Sequence, residues 1–221
     1  TRRLPSVPRI TTRRYPVNFQ AVRERLANDL AANYDFVLHL GQAPGLGRIH
    51  LEAIGINVGG NSRQLPDEFG VLEPSAPVAY RSQLPLNSWA AKLRSAGIPC
   101  QVSYHAGTFL CNATMFLTHH EIAKQRLDTR ATFVHLPLTC QQITGERTDI
   151  ASLPVEVSAA ALHILLQEIV NAEINEPRDC RCRCFGMQSC QNKMAGECRI
   201  DSDPCCFAVA HFADHDDVRI L

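Results

Sequence analysis

The chain has 221 residues, 45% hydrophobic and 20% charged, with Lys plus Arg and Asp plus Glu balanced at 22 each. A neutral chain of this make-up gives no electrostatic case for binding nucleic acid or an anionic membrane surface, and its apolar runs are too short to span a bilayer. Of its ten cysteines, three lie in the body and seven crowd between Cys180 and Cys206, which is not the pattern of a small disulfide-stapled secreted domain and points to a reduced, cytosolic body.

The chain opens on Thr1 rather than Met, as a processed form, a fragment or an incomplete gene model would. "RITTRRYP" reads as a strand behind a basic, proline-broken start. Over 17–34 the apolar residues Phe19, Val22, Leu26 and Leu30 recur at intervals of three and four, which predicts a helix. "DFVLHLGQ" (35–42) is a short buried strand, "GRIHLEAIGINV" (47–58) another strand with its continuation, and 59–77 a polar loop punctuated by proline. "NSWAAKLRSAG" (87–97) predicts a helix with an Asn or Ser cap and a Gly stop. "IPCQVSYHAG" (98–107) is a strand, "CNATMFLTHHEIAKQRL" (111–127) a helix, "TRATFVHLPL" (129–138) a strand and 154–174 a long helix.

Strands with continuously apolar cores alternate with helices, which predicts an α/β sandwich around a mostly parallel sheet. Such sheets gather functional groups beyond the carboxyl ends of their strands, where Glu52, Cys111 and His135 fall. From residue 175 apolar periodicity stops. This divides the chain into an α/β domain over 1–174 and a Cys-rich, poorly ordered tail over 175–221.

Cys111 begins a helix, where unpaired backbone N–H groups and the helix dipole favour a thiolate and can hold an oxyanion. Taken alone, it reads better as a small apolar residue packing a strand–helix junction. His135 ends a buried strand one strand–helix–strand unit later, and two adjacent parallel strands would deliver both side chains to one sheet edge. A Cys–His pair is the minimum for thiol attack on an amide. Glu52 is a carboxylate inside an apolar run, where burial without a partner costs on the order of 2–5 kcal/mol, and a hydrogen bond to His135 would satisfy it. The competing readings are a satisfied core histidine and a structural ion pair. His119 and His120 are adjacent on a helix and do not have metal-ligand spacing.

"YHAGTFLCNATMF", "FVHLPL" and "LEAIGINVGGNSRQLPDEFG" resemble the three signature regions of the pyroglutamyl-peptidase I family, and "YPVNFQAVRERL" resembles the segment before its long helix. The likeness covers roughly residues 10–172. It implies a phosphorylase/hydrolase-like three-layer α/β/α sandwich around a twisted sheet, and a cysteine peptidase that removes N-terminal pyroglutamate (5-oxoproline) from peptides. Cys111 would be the nucleophile, His135 the general base and acid, and Glu52 the group orienting His135. Arg63 would act as an oxyanion or substrate-positioning residue, its competing reading being a solvated loop arginine. No metal or cofactor is implied; the enzyme would be cytosolic, and the resemblance implies self-association.

Two departures stand out. The family's first strand and Gly-Phe-Gly-Pro-Phe loop are absent, and with them the aromatic walls of the pyroglutamate pocket, which would leave a sheet edge or core face exposed. His105 stands where the family has an acidic residue. The alternatives are therefore an impaired pyroglutamyl-peptidase-like protein, or a metal- or partner-binding protein acting through the tail.

Overall fold

The computed structural model describes residues 9–32, 34–61, 63–144, 149–175 and 206–212, with backbone alone for 172–175 and 206–212. Its strands are β1 (Arg9–Tyr15), β2 (Phe36–Gln42), β3 (Ile49–Glu52), β4 (Ile54–Ile56), β5 (Ala79–Arg81), β6 (Cys100–Ser103), β7 (Arg130–Leu136) and β8 (Cys206–Phe212). Its α-helices are α1 (Phe19–Leu30), α2 (Leu86–Ser95), α3 (Leu110–Gln125) and α4 (Val155–Asn175). The main sheet runs β1-β8-β2-β7-β3-β6, and β4 and β5 form a separate antiparallel pair.

Alternation along the strands sorts side chains onto two faces. Phe36, Leu38, Ile49, Leu51 and Val134 join Trp89 and Leu93 of α2 and Ala161, Leu165 and Ile169 of α4 in one core. The opposite face meets α1 and α3. There Val37 and Ala131 pack with Leu30, and Val22 and Leu26 of α1 pack with Leu110, Phe116 and Leu117 of α3. The result is a three-layer α/β/α sandwich. Trp89, Phe36, Phe116 and Phe133 are all under 2% exposed, and burying a side chain of this kind contributes about 1.5–3 kcal/mol. His39, Gly41, His50, Glu52, Phe133 and His135 carry the other parity of β2, β3 and β7, so the polar groups gather under α1 and α3.

Three expectations are corrected. The strands of Cys111 and His135 are not parallel neighbours: β3 lies between β6 and β7, parallel to β6 and antiparallel to β7. Residues 47–58 do not form one strand. The chain leaves the sheet at Ala53, whose N–H bonds Ser103 O while its carbonyl accepts from Ser82 N, and β4 then crosses to pair with β5. Helix α2 starts after Pro85, not at Asn87 or Ser88, although the stop at Gly97 holds, with φ +76°.

Residues 206–212 form β8, parallel to both β1 and β2 and between them. β8 thus gives β2 a backbone partner on the side opposite β7. The tail from 176 to 205, with most of its cysteines, lies outside the described residues.

Candidate active site

Glu52 is fully buried at the end of β3. Its Oε1 lies 2.7 Å from His135 Nδ1, and its Oε2 is buried with no hydrogen-bond partner among the described residues. The antiparallel pairing sets this contact: His135 sits opposite His50, and Glu52 opposite Phe133, so two residues along β3 from His50 the carboxylate leans diagonally onto the imidazole. Thr132 Oγ1 donates to the Glu52 carbonyl at 2.9 Å and locks the local register. Phe133 lies against the His135 ring, centroids 4.8 Å apart, and excludes water from one side.

Cys111 is the second residue of α3, whose N-terminus no side chain caps. The turn into it is made by Gly107, φ +80°, a left-handed conformation that favours glycine. His105, in place of the family's acidic residue, is exposed, and the turn around it is closed by Ser103 Oγ, which accepts from the His105 N–H at 3.3 Å. The thiol lies over β2: a Cβ built on Gly41 would stand 3.2 Å from Cys111 Sγ and 2.7 Å from Phe133 Cζ. Gly41 is paired with His135 across β2 and β7, so the missing side chain is what lets the thiol reach the histidine.

The electrostatics of His135 record that approach. Burial pulls its pKa down, but hydrogen bonding to Cys111 and to Glu52, with the charges of both, outweighs burial and lifts it to about 9. At neutral pH this favours an imidazolium, held between Glu52 Oε1 and the Cys111 sulfur. With Nδ1 engaged by Glu52, Nε2 is the nitrogen left to face the sulfur. Cys100, by contrast, is a buried thiol raised to about 11 by burial, which nearby Arg94 only partly offsets.

Three of the four residues chosen from the sequence, Glu52, Cys111 and His135, come together. Arg63 does not join them in contact. It is exposed in the loop after β4, its backbone N–H bonded to Asn61 Oδ1 at 2.8 Å, and no hydrogen bond or ion pair engages its guanidinium among the described residues.

A profile of the pyroglutamyl peptidase family matches residues 6–172. The chain belongs to the pyroglutamyl peptidase family. It is 34% identical over 161 residues to the pyrrolidone-carboxylate peptidase of Pseudomonas fluorescens, covering 70% of this chain and 73% of that protein. To the enzyme of that name from Thermococcus onnurineus it is 32% identical over 180 residues, 77% of this chain and 88% of the relative. A solved structure of a mutant pyrrolidone carboxyl peptidase from the hyperthermophile Pyrococcus furiosus superposes with a TM-score of 0.66 at 30% identity, covering 72% of this chain and 80% of that one. The Fervidobacterium islandicum enzyme gives 0.66 at 30% identity, over 71% and 79%.

In this pyroglutamyl peptidase family member, several residues that support the site were not singled out from sequence. Asn112, fully buried, accepts from Ile56 N at 2.8 Å and donates to Ile56 O and Val58 O, both at 2.9 Å. It thereby ties the start of α3 to β4. Asn57 was quoted only as part of a motif. Its side chain grips Glu73 through both atoms, Nδ2 to Glu73 O at 2.7 Å and Glu73 N to Oδ1 at 2.9 Å, and so folds the polar loop back onto β4. The available signal was an amide in an otherwise apolar context, which needs backbone partners. Phe109, two residues before the thiol, is 40% exposed and meets Phe19 edge-on at 5.5 Å.

Proposed function

We propose that the protein is a cysteine peptidase that hydrolyses the bond after an N-terminal pyroglutamate, using Cys111, His135 and Glu52. The observation that carries the reading is the Glu52 carboxylate 2.7 Å from the Nδ1 of a histidine whose affinity for its proton is raised by Cys111 and Glu52 against the effect of burial. The thiolate of Cys111 attacks the pyroglutamyl carbonyl carbon. A C–S bond forms, and the carbonyl electron pair moves to oxygen. Uncapped N–H groups of the first turn of α3 face that oxyanion. His135 gives its Nε2 proton to the departing amine as the C–N bond breaks, leaving a thioester. Water then attacks the thioester while His135 takes its proton, and pyroglutamic acid leaves.

Glu52 holds the imidazole in the tautomer and orientation this sequence needs and stabilises its charged form. Arg63 is assigned to the substrate's carbonyl oxygen, since its guanidinium has no side-chain partner to give up among the described residues. A lactam ring is flat and uncharged, so its recognition needs apolar surface, and Phe109 supplies some beside the thiol. The domain is proposed to run to residue 174 and to take β8 into its sheet. Cys100, Cys111 and Cys140 are free thiols, which supports the cytosolic assignment; no described helix is long and apolar enough to cross a membrane.

The test is hydrolysis of fluorogenic amides of pyroglutamate and of proline, which share a five-membered ring but differ in the ring carbonyl. Release from the pyroglutamyl amide alone is expected. A folded protein that cleaves neither, or cleaves both alike, overturns the reading.

A further inference from the structure

Glu52 has a second histidine beside it. His50 and Glu52 are two apart on β3 and share a face, and His50 Nδ1 stands 3.9 Å from Oε1, the same oxygen that His135 engages. That distance is too long for a hydrogen bond. It is nonetheless a short ring movement from one, and the carboxylate is under-satisfied: it accepts one bond, and Oε2 has none among the described residues. A buried carboxylate ordinarily accepts several.

The other side of the His50 ring fixes which nitrogen carries the proton. Arg48 Nη1 donates to Gln101 Oε1 at 3.5 Å, which turns the amide nitrogen of Gln101 to His50 Nε2 at 2.8 Å. An amide N–H donates, so Nε2 of His50 accepts, and the proton of a neutral His50 sits on Nδ1, facing Glu52. The polar groups thus run from Arg48 through Gln101, His50 and Glu52 to His135, crossing β6, β3 and β7.

We propose that His50 is a positioning residue for the site. Neutral, it turns an N–H toward the Glu52 carboxylate and steadies it under His135; protonated, it competes for Glu52 and repels the His135 cation, so that activity falls on the acid side. The proposal rests on the assignment of Cys111, His135 and Glu52 as the reacting group and its support. The charged groups acting on His50 are Glu52 on its own strand, which favours its protonated form, and His135 on β7 and Arg48 before β3, which oppose it. Burial is the largest influence and lowers its pKa from the ordinary 6.5, favouring the neutral ring.

Three variants separate positioning from packing. His50→Leu removes the N–H and the titration. His50→Asn places an amide N–H near the position of Nδ1 and does not titrate. Gln101→Leu keeps His50 but releases its tautomer. Each is read by kcat and KM on the pyroglutamyl amide, and by the pH dependence of Cys111 alkylation with iodoacetamide, mapped by mass; thermal melting checks folding. His50→Leu is expected to lose roughly 10-fold in kcat with little change in KM, and His50→Asn to recover most of it. Gln101→Leu should fall between. The acid limb of alkylation should be steeper than one proton in the unaltered chain and fit one proton in both His50 variants. Wild-type kcat and an unchanged alkylation profile in His50→Leu would overturn the proposal, as would a His50→Asn no better than His50→Leu. If the unaltered chain cleaves no pyroglutamyl amide, the peptidase reading fails, while the alkylation profiles still decide the role of His50.

Discussion

Oε1 of Glu52 and Nδ1 of His135 are 2.7 Å apart, with the glutamate fully buried and the histidine 7% exposed. So close a buried pair leaves the imidazole one way to face the thiol. Replacing Glu52 by Gln preserves shape but offers an amide where a cation needs a carboxylate. The expected loss is about 10²–10⁴ in kcat, with folding retained by circular dichroism. A Glu52→Gln variant within a few-fold of the parent would remove glutamate from the mechanism.

The support under Cys111 predicts a coupled defect in Asn112→Ala. Two hydrogen bonds to Ile56 of β4 and one to Val58 just beyond it vanish, leaving those backbone groups without that partner. Stability should drop by about 2–4 kcal/mol, and kcat should fall beyond what the unfolded fraction explains, because the helix start carrying the thiol loses its tether. Urea unfolding and kinetics at matched folded concentration separate the two effects.

Gly41→Ala tests the passage between thiol and histidine. Its Cβ would stand 2.7 Å from Phe133 Cζ and 3.2 Å from Cys111 Sγ. Overpacking of this kind costs about 1–3 kcal/mol. Here the atoms forced to move are those of the site, so Cys111 alkylation should slow together with kcat. An alkylation rate equal to the parent's would show that Sγ does not rest on Gly41.

Stability should peak near pH 6.5. Burial drives the pKa of His39 down to about 3, with His119 lowering it further, and burial drives His119 down to about 4. These folded values lie below the unfolded value of 6.5, so the unfolded chain binds more protons under acid conditions. Their contribution is complete above pH 6.5 and is lost as pH falls, by about 1.4 kcal/mol per pH unit for each histidine. His135 has the opposite sign: with its folded pKa raised to about 9, its contribution is complete below 6.5 and is lost as pH rises through 9. Urea midpoints from pH 4 to pH 10 test both limbs, and a flat acid limb would show that His39 and His119 are not held neutral.

Among the described residues β1 joins the sheet through β8, which also pairs with β2. A chain ending at residue 205 therefore frees a row of backbone N–H and C=O groups along β2 and detaches β1. It should unfold at lower temperature and lose cooperativity, while removal of 213–221 alone should not. Equal melting of the two truncated chains would show that β8 does not hold the sheet.

The layers were legible in sequence because period and burial are local properties, whereas Cys111, His135 and Glu52 were picked out together through their resemblance to family signature regions. Val22, Leu26 and Leu30 announce α1 by spacing, and Glu52 announces itself as a charge in an apolar run. Strand order was not legible. Nothing local tells β3 to lie antiparallel beside β7, yet that pairing is what sets Glu52 under His135 in place of the parallel neighbours expected. β8 was hidden for a related reason: "CFAVAHF" is a plausible strand, but its place depends on β1 and β2, nearly two hundred residues earlier. Asn112 and Gly41 looked ordinary because their importance lies in what approaches them across the fold.

Cys111, and no other thiol of the body, is proposed to carry the reaction. Turnover of the pyroglutamyl amide by the parent chain should be compared with Cys111→Ser, Cys100→Ser and Cys140→Ser, each at matched folded concentration. Cys111→Ser is expected to lose at least about 10³-fold in kcat while the other two stay within a few-fold of the parent. Turnover retained in Cys111→Ser, or abolished only by Cys100→Ser or Cys140→Ser, would contradict it.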